Sequence, residues 1–194
     1  MTTRDIVMLA AVINGLGIVL LVSGIGEYLK KHAWLNIQHY WAYTPLTIFQ
    51  LLTHLLLWWS LLGVMSSVQY FNFLSYLYLL TGPILLYLGT RLIIPEINDK
   101  SINLYKAYYA FRKTFYSIMA AFWLWVIFVW PVFGYPFPPT VPLFIVWLLI
   151  SMVLRFTDNP KAHAVLVTAN LVVFAVFIAI FAMQVGEVAR SIVE

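Results

Sequence analysis

IVMLAAVINGLGIVLLVSGIGEYLKK, from Ile6 to Lys31, is the stretch on which the fold of this chain turns. No charged residue interrupts it between Ile6 and Gly26, and Glu27, Lys30 and Lys31 then close it. A helix rises about 1.5 Å per residue, so such a run is close to the roughly 20 apolar residues that cross a hydrocarbon core about 30 Å thick. Five more runs of the same kind follow: Thr44 to Met65, Phe73 to Ile94, Tyr116 to Phe133, Val141 to Phe156 and Ala164 to Val185. Hydrophobic residues make up 63% of the 194-residue chain and charged residues 9%, against roughly 25% charged in a soluble domain. The pattern predicts an all-α integral membrane bundle of six transmembrane helices, filling residues 1–194 as a single domain.

The basic residues give that bundle an orientation. Lys30 and Lys31 follow the first run, Arg91, Lys100, Lys106, Arg112 and Lys113 lie at or after the end of the third, and Arg155 and Lys161 close the fifth. The links at residues 66–72 and 134–140 carry none. Basic residues near span ends stay cytoplasmic, so the three basic links are expected inside and both termini outside. The net charge of +4 then reflects topology and attraction to anionic lipid headgroups at the cytoplasmic face, not nucleic-acid binding. The first run is longer than the 7–15 residues of a signal-peptide core and is preceded only by Arg4 and Asp5, so it reads as a retained helix. There are no cysteines, which removes disulfides, thiolate metal sites and a cysteine nucleophile.

Local patterns add detail. Ala10, Asn14, Gly17, Leu21 and Gly24 fall on one stripe of the first helix, and small residues let helix backbones approach closely in lipid. Thr168, Val172, Ala175, Ala179 and Ala182 repeat the device in the sixth. Self-association through the first stripe, giving a homo-oligomer, is the expectation. Tyr28 to Tyr43 mixes Lys30, Lys31 and His32 with Trp34, Tyr40 and Trp41, a headgroup-level composition. Asp99 and Ser101 are candidate caps for a helix starting near Ile102, whose apolar side, Leu104, Tyr105, Tyr108, Phe111 and Phe115, opposes Lys106, Arg112 and Lys113 as an interfacial lead-in to span four. Gly82 and Pro83 predict a kink in span three. The proline-rich link from Trp130 to Pro142 reads as a stiff outer turn. Trp58, Trp59, Trp130 and Trp147 read as an aromatic belt.

Two groups of residues are candidates for chemistry. No Asp, Glu, Lys or Arg lies near the centre of a span, which argues against a proton-coupled pump. A polar layer remains: Asn14, Gln50, His54, Thr81 and Asn170, with Thr53 and Thr168 nearby. It reads as either a narrow solute pathway, with His54 as its titratable member, or as interhelical hydrogen bonding. At the inner rim, Glu27, His39, Arg91 and Arg155, with Glu96, Asp158 and His163 in the wider set, form a candidate lipid-headgroup or anion site. Alternatively, Glu27 pairs with an Arg while the others reach to water. Haem is disfavoured because His54 sits mid-membrane while His32, His39 and His163 lie near the inner surface. No cofactor and no metal site is expected.

The segments NGLGIVLLVSGIGEYLKK, FQLLTHLLLWWSLLG, FLSYLYLLTGPILLYLGTRLIIPE and LYKAYYAFRKTFY together resemble a family of small polytopic bacterial inner-membrane proteins. Its marks are a Gly-Leu-Gly first helix, a Trp-Trp second helix and an aromatic-basic segment before the fourth. The resemblance covers about the first two thirds of the chain and implies a bacterial inner-membrane location. It also implies that Gln is common where this chain has His54, and it carries no activity over. For function the residues leave three readings. The first is an oligomeric passive channel or facilitator for an ion or small solute. The second is a non-enzymatic membrane scaffold or sensor acting through its aromatic-basic cytoplasmic face. The third is a lipid-active membrane enzyme, set back by the lack of a nucleophile motif or phosphate loop.

Overall fold

The computed structural model describes residues 3–31, 36–67, 72–95 and 101–182. Six α-helices account for most of them: α1 Thr3–Lys31, α2 Tyr43–Ser67, α3 Phe73–Ile93, α4 Leu104–Val132, α5 Val141–Phe156 and α6 Pro160–Phe177, the last running into a π-helical turn at Ile178–Ala182. Two short strands, β1 Asn36–Gln38 and β2 Ser101–Asn103, pair in parallel, Ile37 opposite Ile102. Among the described residues four helical stretches are long and apolar enough to cross a membrane: Asp5–Lys31, Phe73–Ile93, Leu104–Val132 and Pro160–Ile180. The described residues are thus all-helical apart from one two-stranded pairing, and the helices are compatible with a membrane protein.

Helix starts follow local hydrogen-bond chemistry. Asn72 caps α3 in a reciprocal box: its side chain accepts from Ser75 N at 2.8 Å, and its own N–H donates to Ser75 Oγ at 3.0 Å. Asn103 caps α4 by accepting from Lys106 N at 2.9 Å, and Asn159 caps α6 ahead of Pro160. The cap of α4 therefore differs from the expected pair: Ser101 belongs to β2, and Asp99 lies outside the described residues, as do His32, Trp34, Glu96 and Lys100. The aromatic-basic lead-in is likewise no separate element. It is the first part of α4, a continuous helix of 29 residues, because no glycine or proline breaks the run between Leu104 and Trp130. After Val132 the chain turns at Gly134, whose φ of +80° is open to glycine. Pro142 in the first turn of α5 restarts the helix.

The helices pack as a ring in the order α1, α3, α4, α5, α6, α2, which closes back on α1. Aromatic side chains fill the interior. Trp123 of α4 stacks on Trp147 of α5 at 4.6 Å between centroids, and Phe49 of α2 meets both as well as Phe174 of α6. Trp147 is fully buried and so is a core residue, not part of a belt; its indole lies on the face of α5 that meets Trp123. Trp58 and Trp59 are exposed. Across the α3–α4 contact, Trp125 Nε1 donates to Tyr78 O at 2.7 Å and Tyr78 Oη donates to Trp125 O at 2.9 Å. This brace sits one turn before Pro83, where a proline disturbs the backbone ladder and a neighbour is needed. Gly82 lets the Trp125 ring lie against the α3 backbone, since a Cβ there would run into the ring.

The small-residue stripe of α1 faces inward: Ala10, Asn14, Gly17 and Leu21 are buried. It serves the packing of α1 on α2 and α3 within one chain, so it is not free to join protomers. Thr168, Val172, Ala175 and Ala179 of the sixth helix are exposed.

Candidate functional site

Three of the candidate polar residues converge between α1, α2 and α3. Asn14, Gln50 and His54 are each completely buried and meet Thr90. Asn14 Nδ2 donates to the backbone carbonyl of His54 at 3.0 Å, which turns Asn14 Oδ1 toward the ring, 2.7 Å from Nδ1. An amide oxygen only accepts, so Nδ1 carries the proton and Nε2 is the acceptor. The Thr90 hydroxyl donates to Nε2 at 2.7 Å. Gln50 Nε2 completes the chain by donating to Thr90 Oγ1 at 3.0 Å and to Leu86 O at 3.1 Å. The second contact fixes the amide orientation, since an oxygen there would face a carbonyl oxygen. One hydrogen-bond direction thus runs from Gln50 through Thr90 and His54 to Asn14, and the remaining acceptor, Gln50 Oε1, has no partner among the described residues.

Gly17 makes this arrangement possible. A Cβ at that position would overlap the His54 imidazole, so the glycine opens the space in α1 into which α2 inserts its ring. The i and i+4 spacing of Gln50 and His54 puts both on the face of α2 toward α3. The other layer candidates lie apart. Thr81 is exposed and donates to Leu77 O of its own helix at 2.9 Å. Asn170 is buried in α6, where its backbone oxygen accepts from Trp147 Nε1 at 3.5 Å and its Oδ1 has no partner among the described residues. Thr53 and Thr168 bond back to Phe49 O and Ala164 O within their own helices.

The inner-rim candidates are dispersed. Glu27 pairs with Lys31, one turn on, at 3.9 Å with both side chains exposed; its partner is a lysine of its own helix, not an arginine, because i and i+4 residues meet on one face. His39 is exposed ahead of α2, and Arg91 is exposed in the last turn of α3. Arg155 lies over the Phe156 ring at 5.1 Å. Among the described residues no hydrogen bond or ion pair joins these four.

A second polar cluster forms instead where α4 meets the α5–α6 turn. Arg112 is only 4% exposed; its guanidinium donates to Thr157 O, pairs with Asp158 and lies over the Tyr109 ring at 4.9 Å. His163 Nε2 lies 2.9 Å from the same Thr157 carbonyl, which requires the proton on Nε2, and Nδ1 accepts from Tyr108 Oη at 2.8 Å. Tyr116 Oη then donates to Tyr108 Oη at 2.8 Å. Asp158 and His163 belonged to the wider inner set; Arg112, Tyr108, Tyr116 and, in the first cluster, Thr90 did not stand out. The signal for the former was a spacing of four, Tyr108, Arg112, Tyr116, which places them on one stripe of α4. Both clusters hold neutral hydrogen-bond relays or paired charge. Among the described residues no group of three or more His, Asp or Glu is placed to hold a metal ion.

Comparison with protein-family models, with curated proteins and with solved structures gives no match for this chain.

Proposed function

We propose that this chain is a six-span membrane protein, with both termini outside and the basic links inside, that works as a non-enzymatic scaffold or sensor through its aromatic-basic inner face. The observation that carries this reading over a passive channel is the closed state of the polar layer. Asn14, His54 and Thr90 are matched donor to acceptor, and Gln50 is held through its amide nitrogen by Thr90 and the α3 backbone. A conduction path needs polar groups that a passing ion or solute can take as partners in turn. Here those groups hold one another, which is the chemistry of an interhelical lock.

Flux measurement in liposomes tests the choice. The protein should pass no ion or small solute faster than protein-free vesicles, and Asn14→Leu and His54→Leu should alter stability alone. Flux in the parent that both variants abolish, with folding intact, would return the layer to a channel. The orientation is tested separately in the cysteine-free background. Tyr135→Cys should react with an impermeant maleimide added outside cells, and Lys113→Cys only after permeabilisation.

A further inference from the structure

An apolar cavity of about 280 Å³ opens between α1, α2, the end of α3 and the start of α4, near the lower end of the range for small-molecule sites. Its floor is made by Leu21, Ile93 and Leu104, all buried, and its open side by Leu29 and Ile48, which are 67% and 45% exposed. Tyr28, His39, Tyr43, Thr44 and Thr47 also line it and are its polar members. The cavity is therefore greasy inside, open sideways through apolar residues, and bordered by groups able to hydrogen-bond at the headgroup end.

We propose that this groove holds one acyl chain of an anionic phospholipid, whose headgroup sits at the inner surface among Lys30, Lys31 and Arg91. The inference rests on the membrane reading given above and adds to it a ligand and a site. Charge complementarity selects the lipid. Lys30 and Lys31 follow Leu29 in the last turn of α1, and Arg91 lies two residues before Ile93 in the last turn of α3, so each is within two residues in sequence of a groove-lining residue though none lines the groove itself. Glu27, paired with Lys31, offsets one of these cations, leaving an excess of positive charge for a phosphate. Basic residues at a membrane surface attract anionic lipid, while the groove gives one chain of that lipid a fixed place out of the fluid bilayer.

Native mass spectrometry of the full chain released from vesicles of phosphatidylglycerol and phosphatidylcholine tests this. One phosphatidylglycerol should stay bound per chain and phosphatidylcholine should not. Thr44→Trp and Ile48→Trp, which fill the groove from its open side, should remove the bound lipid. Lys30→Gln, Lys31→Gln and Arg91→Gln together should weaken retention about a hundredfold, and helicity by circular dichroism should match the parent in all variants. Equal retention of both lipids, or retention unchanged by the two tryptophans, overturns the proposal, as does a bilayer-integrated chain that keeps no lipid. A chain stripped from vesicles by alkaline carbonate would instead overturn the membrane reading itself.

Discussion

At the scale of single residues, His54 is held by two neighbours that each use a different ring nitrogen, so replacements sort by hydrogen-bond capacity. His54→Leu leaves Asn14 Oδ1 without a donor and takes the acceptor from Thr90. Interhelical bonds in membranes average about 0.6 kcal/mol and reach about 1.7, so a loss of about 1–2 kcal/mol is expected in thermal or denaturant unfolding of the detergent-solubilised protein. His54→Gln keeps one donor and one acceptor on a side chain of similar reach and should cost less than half as much. Equal losses for the two would mean that ring packing, not hydrogen bonding, holds the site. Gly17→Ala tests the same place from α1. Its new Cβ would run into the imidazole, and overpacking costs about 1–3 kcal/mol; a neutral result would place the ring elsewhere. Asn14, Gln50 and His54 were legible in the sequence because polar side chains stand out against apolar runs. Thr90 was not, since it lies beside Arg91 at the end of a run, where a threonine is unremarkable. Nor could Gly17 be assigned to His54, because its meaning depends on which helix crosses it.

Among the elements, α4 departs most from its reading as an interfacial lead-in followed by a span. A charge pattern placed Arg112 with Lys106 and Lys113 on a solvated side, yet Arg112 turns inward while both lysines stay exposed. The reason is tertiary: the α5–α6 turn presents Thr157 O and Asp158 to that face, and a charge is buried where such partners exist. Sequence periodicity carries no information on that partner. Arg112 therefore works as the anchor of the turn and, with His163, of the start of α6. Arg112→Met should loosen the segment 157–163, read as faster amide hydrogen exchange there with little change in α1 to α3. Asp158→Asn should act in the same direction but less, because that carboxylate is 79% exposed and water already screens it. Exchange that rises equally throughout the protein would show instead that Arg112 supports global folding. The Tyr78–Trp125 brace makes a contrasting case, for it joins two long helices near Pro83. Trp125→Phe removes the donor to Tyr78 O while keeping most of the ring, and a loss of about 1 kcal/mol is expected.

For the whole molecule, the decisive quantity is the height of the apolar belt. The ring order places α1 and α5 opposite one another. The uncharged run of α1 from Ile6 to Gly26 is long enough for a hydrocarbon core of about 30 Å, whereas the 16 residues of α5 give about 24 Å at 1.5 Å per residue. Pro139 precedes α5 and Pro160 follows it, which limits its extension at both ends. Its outward residues, Ile145, Val146, Leu149, Val153 and Phe156, are nonetheless apolar and exposed, a face suited to lipid in the proposed arrangement. In the six-span arrangement proposed above, α5 is the short member, and a bilayer meeting it would thin on that side at a cost of fractions of a kcal/mol per Å. Thick membranes raise that cost, which adjacent copies reduce by sharing the deformed lipid. A single cysteine introduced at Tyr135 allows fluorescent labelling for energy transfer between copies at low density. Transfer should be near the random-mixing level in vesicles of lipids with 14-carbon chains and should rise in those with 22-carbon chains. The same transfer in both would mean that the turns flanking α5 enter the apolar layer, and its shortness would then have no effect on how the protein sits in a membrane.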